Sequence, residues 1–270
     1  MKIRTFIVDA FTNKPFQGNP AGVCLLDQAI DPMKMQSIAS ELNLSETAFL
    51  LKTKASSNHY NIRYFTPTVE VDFCGHATLA SSKIVLDKLD LNKVDFTTHS
   101  GLRLEASHEY PFIKMIFPLY DTTSYLPNQK LYEAFGIENP VSTRFSEDLD
   151  MLIIEVVDKQ ALQDVNPDFQ KAIESSKTIK ELVATAKSED EGYDFYSRCF
   201  CPWIGINEDP VTGASHSVLA KYWSEKLSKK DMSAFQLSKR GGFLNLSIKS
   251  ETELEVRSCA KIVFEGTLDV

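Results

Sequence analysis

The feature that most constrains this 270-residue chain is a repeat hidden inside it. One stretch, RYFTPTVEVDFCGHATLASSKIVLDKL, begins at Arg63. A second, RCFCPWIGINEDPVTGASHSVLAKYWSEKL, begins at Arg198. Both open Arg-x-Phe-x-Pro, run through a loop to a glycine (Gly75 or Gly213), and continue as an apolar helix of similar length. A strand pair with a glycine turn follows each, THSGLRLEA around Gly101 and SKRGGFLNLSI around Gly241. Few positions are identical, but the order of strand, loop, helix and hairpin recurs, which predicts two related halves. The length agrees, since one domain holds roughly 100–200 residues. A duplicated fold is expected to bind its ligand in the cleft between halves. Each half would present a glycine-led helix N-terminus, where free N–H groups and the helix dipole favour a carboxylate without help from lysine or arginine. Glycine there lets a ligand approach the backbone closely.

The remaining elements follow from pattern. Ile3 to Phe11 alternates as a strand, and TNKPFQGNPAGVCLL is a Gly/Asn/Pro loop leading into another. DPMKMQSIASEL predicts a helix with Asp31 as N-cap and Pro32 in its first turn, its apolar side formed by Met33, Met35, Ile38, Ala39 and Leu42. SETAFLLK and HYNIRYFTP read as a strand pair about the polar turn KASSN. Ala77 to Leu89 is an apolar helix exposing Lys83 and Asp87. In the second half DLDMLIIEVVD predicts a strand buried on both faces. NPDFQKAIESS and TIKELVATAKS are expected to be helical or turn-like, and the C-terminal stretch from Ala234 is a run of strands. The halves are therefore placed at 1–117, joined by a C-terminal strand 260–270, and at 118–259.

Composition excludes several functions. The formal charge of −8 is spread along the chain and there is no basic stripe, which argues against a nucleic-acid partner. No apolar run approaches the roughly 18 residues of a membrane span. The N-terminus MKIRTFIVDAF is too short and polar for a signal peptide. The five cysteines form no C-x-x-C pair, which argues against a disulfide framework or a structural zinc site; free thiols suit a reducing, cytoplasmic setting.

Candidate chemistry centres on a few side chains. Glu46 in LNLSETAFL lies among apolar neighbours. Desolvation there would raise its pKa toward the range of a general acid or base, and the alternative is a solvated edge-strand glutamate. His76 opens a helix, where the dipole favours a neutral ring that can donate a hydrogen bond or shuttle a proton; it can equally be a helix-opening residue contacting backbone. Cys74, just ahead of Gly75, is either an activated thiolate or a small buried filler. Its counterpart in the second half is Val211 or Thr212, so a two-thiol mechanism has no second partner. Asp72, Cys74 and His76 alternate and invite a metal reading, but the turn at Gly75 breaks the geometry. Asp209 before Pro210 can bind a polar substrate group or form an Asx-turn, and Ser215 and His216 fall in the first turn of the second helix as caps or ligands.

Taken together, DAFTNKPFQGNPAGV, LNLSETAFL, IRYFTPTVEVDFCGHATLA and EDPVTGASHSVLA resemble the PhzF family, named for a phenazine-biosynthesis isomerase, in order and approximate spacing. The resemblance implies an α+β fold of the diaminopimelate epimerase type: two pseudo-symmetric domains, each a curved sheet wrapped around a central helix, with the active site between them. It implies a cofactor-independent, metal-free isomerase, commonly a homodimer, acting on a small carboxylate-bearing metabolite by an acid/base proton shift. By the same resemblance Glu46, His76 and Asp209 match catalytic positions. Asn19, Gly75, Gly213, Ala214 and Ser215 match the substrate pocket. Two departures stand out: Cys74 is a thiol where the phenazine enzyme has none, and Ala214-Ser215 follows Gly213 where the family often has serine directly. Other functions on this fold are an epimerase or racemase using Cys74, a hydratase or lyase, and a non-catalytic metabolite-binding protein.

Overall fold

The computed structural model describes residues 1–54 and 58–270, so the turn expected at 54–58 lies largely outside the described residues. The chain divides into two compact units, Met1–Phe117 with Glu255–Val270, and Pro118–Leu254.

The first unit opens with β1 (Lys2–Ala10) and β2 (Asn19–Leu26), which pair antiparallel. Helix α1 (Pro32–Leu42) then crosses to β3 (Glu46–Lys52), which runs parallel to β2. The Asp31 side chain accepts from Met33 N–H at 2.7 Å and caps α1; Asn43 ends it in the left-handed region. Met35, Ile38 and Ala39 are buried, but Met33 is 79% exposed. Two residues before Met35, it lies about 200° round the helix and points away from the sheet.

Next come β4 (His59–Phe65), antiparallel to β3, the short β5 (Glu70–Val71) and helix α2 (Gly75–Lys88). β6 (Lys93–Thr98), β7 (Arg103–Glu109) and β8 (Phe112–Pro118) complete the run, with β6 parallel to β4. α2 packs against β1, β2, β3, β6 and β7. It is buried on nearly every side because Ala77, Ala80, Ser81 and Ser82 are small enough for strands to close around it. Leu79, Ile84, Val85 and Leu86 each contribute about 1.5–3 kcal/mol by leaving water. Only Lys83, Asp87 and Lys88 escape burial, and Lys83 meets Asp87 at 2.5 Å.

The second unit repeats this plan. β9 (Thr123–Ser124), α3 (Gln129–Phe135), β10 (Ser142–Ser146) and β11 (Met151–Glu155) are followed by α4 (Lys159–Asp164), α5 (Phe169–Ser175) and β12 (Glu181–Lys187). β13 (Phe195–Cys201), a short 3-10 turn, β14 (Ile206–Asp209), α6 (Gly213–Leu227), β15 (Asp231–Gln236) and β16 (Gly242–Ile248) complete it, and β17 (Glu253–Ser258) carries the chain back to the first unit. β10–β11 is antiparallel, β11–β12 parallel, β12–β13 antiparallel and β13–β15 parallel, matching β1–β2, β2–β3, β3–β4 and β4–β6. α6 occupies the place of α2 and is likewise largely buried. β11 is buried at every residue, as its apolar run predicts. β12 departs from expectation: Glu181–Lys187 is a strand between β11 and β13, because partners on both edges and burial on both faces override its helix-compatible composition.

The chain returns to the first unit at Glu255, earlier than the strand 260–270, because β17 pairs with β8. β18 (Ala260–Asp269) then lies antiparallel to β1 and also contacts α2. No helix among the described residues is long and apolar enough to cross a membrane.

Candidate active site

The N-terminus of α2 carries a cluster of titratable side chains. Cys74 is its N-cap residue with extended backbone and no side-chain cap, and Gly75 and His76 begin the helix. The first helical bond runs from Thr78 N–H to the Cys74 carbonyl, so the amides of Gly75 and His76 point out of the helix without helical acceptors. Glu46 reaches the same point as the first residue of β3, whose register with β2 sets it beside Ala21. Asn19, the first residue of β2, arrives from the other side.

Glu46 Oε2 lies 3.0 Å from His76 Nε2, with the two side chains 13% and 7% exposed. The angle falls short of a good hydrogen bond, and Oε2 has no other hydrogen-bond partner. Ser45 Oγ is 3.2 Å from His76 Nε2 and also meets Asn19 Oδ1 at 3.3 Å. Asn19 Nδ2 is 3.2 Å from His76 Nδ1, and Cys74 Sγ is 3.3 Å from the same nitrogen. As placed, the Asn19 NH2 donates to Nδ1, leaving Nε2 to carry a proton toward Glu46. Turning the amide over lets it accept from a protonated Nδ1 instead.

The electrostatics differ from those inferred from sequence. Burial pushes the Glu46 carboxyl up, but the His76 charge and hydrogen bonds from His76, Ser45 and Cys74 outweigh it, and the net shift is down. Burial alone would depress the His76 ring. The Cys74 sulfur and the Glu46 carboxylate outweigh that, and the ring is held well above its ordinary value. The expected raised glutamate and neutral histidine are thus both reversed: burial is the largest single influence on each, but the charges and hydrogen bonds of the neighbours together outweigh it. Burial raises the Cys74 thiol, although the His76 charge pulls the other way, which disfavours a nucleophilic thiolate.

The alternating Asp72, Cys74 and His76 do not come together. Asp72 is exposed, whereas Glu46, Cys74 and His76 bring their ligating atoms within 4.8 Å of one another. Asn19 is fully buried and its amide holds Ser45 and His76 in place. Gly18, at φ +68°, makes this possible: a side chain there would strike the Ala10 carbonyl at 2.0 Å. Ser45 directly precedes Glu46 in LSET and carries no sequence signal of its own.

At the N-terminus of α6 the second unit gathers a different set. Asp209, at the end of β14, is 8% exposed and accepts from the Thr212 hydroxyl. Gln236 donates to the Asp209 carbonyl at 2.8 Å and accepts from Thr212 N–H at 2.9 Å. Thr212, not Val211, is the N-cap position matching Cys74. Gly213 is buried and Ala214 half-buried. Ser215 is fully buried, its hydroxyl donating to the Thr212 carbonyl at 2.9 Å, so it does not face solvent. His216 bonds the same carbonyl through Nδ1 at 2.7 Å, and burial pushes its pKa down to about 4.

The family model for phenazine biosynthesis-like proteins matches residues 8–266. A phenazine biosynthesis-like domain-containing protein of Mus musculus is 41% identical over 99% of both chains. An uncharacterized isomerase of Halalkalibacterium halodurans is 43% identical over 91% of both. The crystal structure of a PhzF-family protein from Enterococcus faecalis superposes with a TM-score of 0.92 at 32% identity, covering 100% of both chains. At lower identity the fold extends to a predicted epimerase from Pseudomonas aeruginosa, with a TM-score of 0.72 and 19% identity over 99% of both chains. It also extends to a probable proline racemase from Agrobacterium radiobacter, with a TM-score of 0.64 and 9% identity over 99% of this chain and 92% of that one. The fold is therefore the α+β, epimerase-like one, and the chain belongs to the phenazine biosynthesis-like PhzF family.

Proposed function

We propose that this chain is an isomerase that moves a proton within a small carboxylate-bearing metabolite, with Glu46 as the base. The observation that carries the reading is the Glu46 carboxylate, its side chain 13% exposed, with one oxygen beside His76 and without a good hydrogen-bond partner. An anion so placed can accept a proton from a substrate carbon. His76 holds Glu46 ionised before the transfer and faces the protonated carboxyl after it. Ser45 and Asn19 keep the ring in register with that exchange. The outward amides of Gly75 and His76 suit a substrate carboxylate, whose charge the helix N-terminus favours. One carboxyl can both remove and return the proton when the two carbons lie on the same face of the substrate. The names borne by relatives, an uncharacterized isomerase and a predicted epimerase, agree with this class of reaction.

A Cys74 epimerase is the second reading, favoured by the 3.3 Å approach of Cys74 Sγ to His76 Nδ1. Its raised thiol and the Thr212 counterpart weigh against it. Metabolites that co-purify with the protein supply the substrate for a test by solvent-deuterium incorporation. Glu46→Gln is expected to lower turnover about 10²- to 10⁴-fold while ligand binding persists, and Cys74→Ala to retain most of it. Turnover that survives in Glu46→Gln sinks the proposal, and loss confined to Cys74→Ala transfers the chemistry to the thiol.

A further inference from the structure

Strand register gives Glu46 a counterpart. Thr47 faces Phe65 in the first unit and Leu182 faces Phe200 in the second, so Glu46 and Glu181 hold equivalent places at the start of β3 and β12. Glu46 gathers Cys74 and His76; Glu181 gathers Cys199 and Cys201. The two cysteines are alternate residues of β13, which brings their sulfurs to one side of the strand. Cys199 Sγ lies 3.7 Å from Cys201 Sγ and 3.8 Å from Glu181 Oε2.

These are the separations of tetrahedral coordination. With metal–sulfur bonds of about 2.3 Å two sulfurs stand about 3.8 Å apart, and an oxygen bound at about 2.1 Å stands about 3.6 Å from either. The ligating atoms of all three residues lie within 4.8 Å of one another. The thiols are buried, whereas Glu181 is half-buried and opens the cluster to solvent.

We infer that Glu181, Cys199 and Cys201 form a binding site for a thiophilic divalent cation such as zinc, with a fourth position open to water. Binding one ion displaces both thiol protons, so two protons are released per ion and the carboxylate stays ionised. The absence of C-x-x-C pairs does not bear on it, because a Cys-x-Cys pair completed by a glutamate from the adjacent strand leaves no such signature. The site is independent of the Glu46 chemistry.

Cobalt(II) titration of the whole protein, reduced with a phosphine, tests it. The expected result is a thiolate-to-cobalt charge-transfer band that saturates at one equivalent, is bleached by zinc, and tightens about 100-fold per pH unit as two protons leave. Cys199→Ser/Cys201→Ser abolishes the band and Cys74→Ala leaves it. Glu181→Gln, at a half-buried position, weakens cobalt binding at least tenfold with an unchanged circular dichroism spectrum, which keeps the test valid should the double variant not fold. No band in the wild type, a band in the double variant, its loss in Cys74→Ala, or full affinity in Glu181→Gln overturns the inference.

Discussion

The two units share a scaffold and differ at the mouth of its helix. In the first, Arg63 makes a two-pronged pair with Glu70, both contacts 2.7 Å, and its guanidinium lies 5.4 Å over the Phe65 ring. In the second, Arg198 pairs with Glu208 at 2.8 and 3.1 Å and lies 4.8 Å over Phe200. Each arginine ties the strand before the loop to the short strand that leads toward the helix glycine. Beyond that shared brace the units diverge. The first offers a buried ion pair between Glu46 and His76. The second locks Asp209, Thr212 and Gln236 together and keeps His216 neutral. Duplication has preserved what aims the helix and left what the helix presents free to change.

The brace is not equally loaded, and that gives the largest effect to measure. Arg198 also donates to the carbonyls of Leu162 and Val165, at 3.2 and 2.7 Å, so it fastens α4 as well as the loop. Among the described residues Arg63 hydrogen-bonds Glu70 alone. Arg198→Ala should cost about 3–5 kcal/mol, since it strands Glu208 and two carbonyls. Arg63→Ala should cost about 1–3 kcal/mol. Urea unfolding compares them, and equal losses would remove the asymmetry.

Much of this was legible in the sequence, for a physical reason. Arg-x-Phe-x-Pro and the helix glycines recur because brace and helix start are local, so spacing reveals them. Asp31 and Pro32 start α1 as their chemistry requires. What spacing cannot show is what distant strands bring together. Glu46 and His76 are thirty positions apart, and only the pairing of β2 with β3 beside α2 makes them neighbours that invert each other's pKa values. Glu181 was hidden further, in a segment whose composition suits a helix and whose strand state is imposed by β11 and β13. Ser45 carries no signal beyond its place next to Glu46.

The histidines supply the next contrast. His76 has its pKa raised, so its charge stabilises the fold below the ordinary value near 6.5 and that contribution fades as pH rises through the raised value. Glu46, lowered, contributes above the ordinary carboxyl value and loses that contribution as pH falls through its own lower one. His216 behaves oppositely to His76. With its pKa pushed down to about 4, it stays neutral in the folded chain while the unfolded chain takes up a proton, so stability falls between about pH 6.5 and about 4, by at most about 3 kcal/mol. His216→Phe, which preserves the ring stacked on Phe195, should flatten that acid limb. NMR titration of the two rings should show them moving in opposite directions from the ordinary value. A shift of both the same way would break the contrast between the helix mouths.

The smallest effect lies in the glycine turns that follow each helix. Gly101 and Gly241 join β6 to β7 and β15 to β16, at φ +90° and +64°. Both sit where a side chain is strained, so alanine at either should cost about 1 kcal/mol from backbone conformation alone. Their surroundings separate them. A Cβ at Gly101 meets nothing within 4 Å, whereas one at Gly241 comes within 2.8 Å of the Phe235 ring, which packs against Tyr193 at 5.1 Å. The ring must turn or the hairpin must shift, and either disturbs the core beside α6. Gly241→Ala should therefore lose about 1 kcal/mol more than Gly101→Ala in denaturant unfolding. A matching loss in the two variants would mean that Phe235 yields freely and that the two hairpins differ in sequence only.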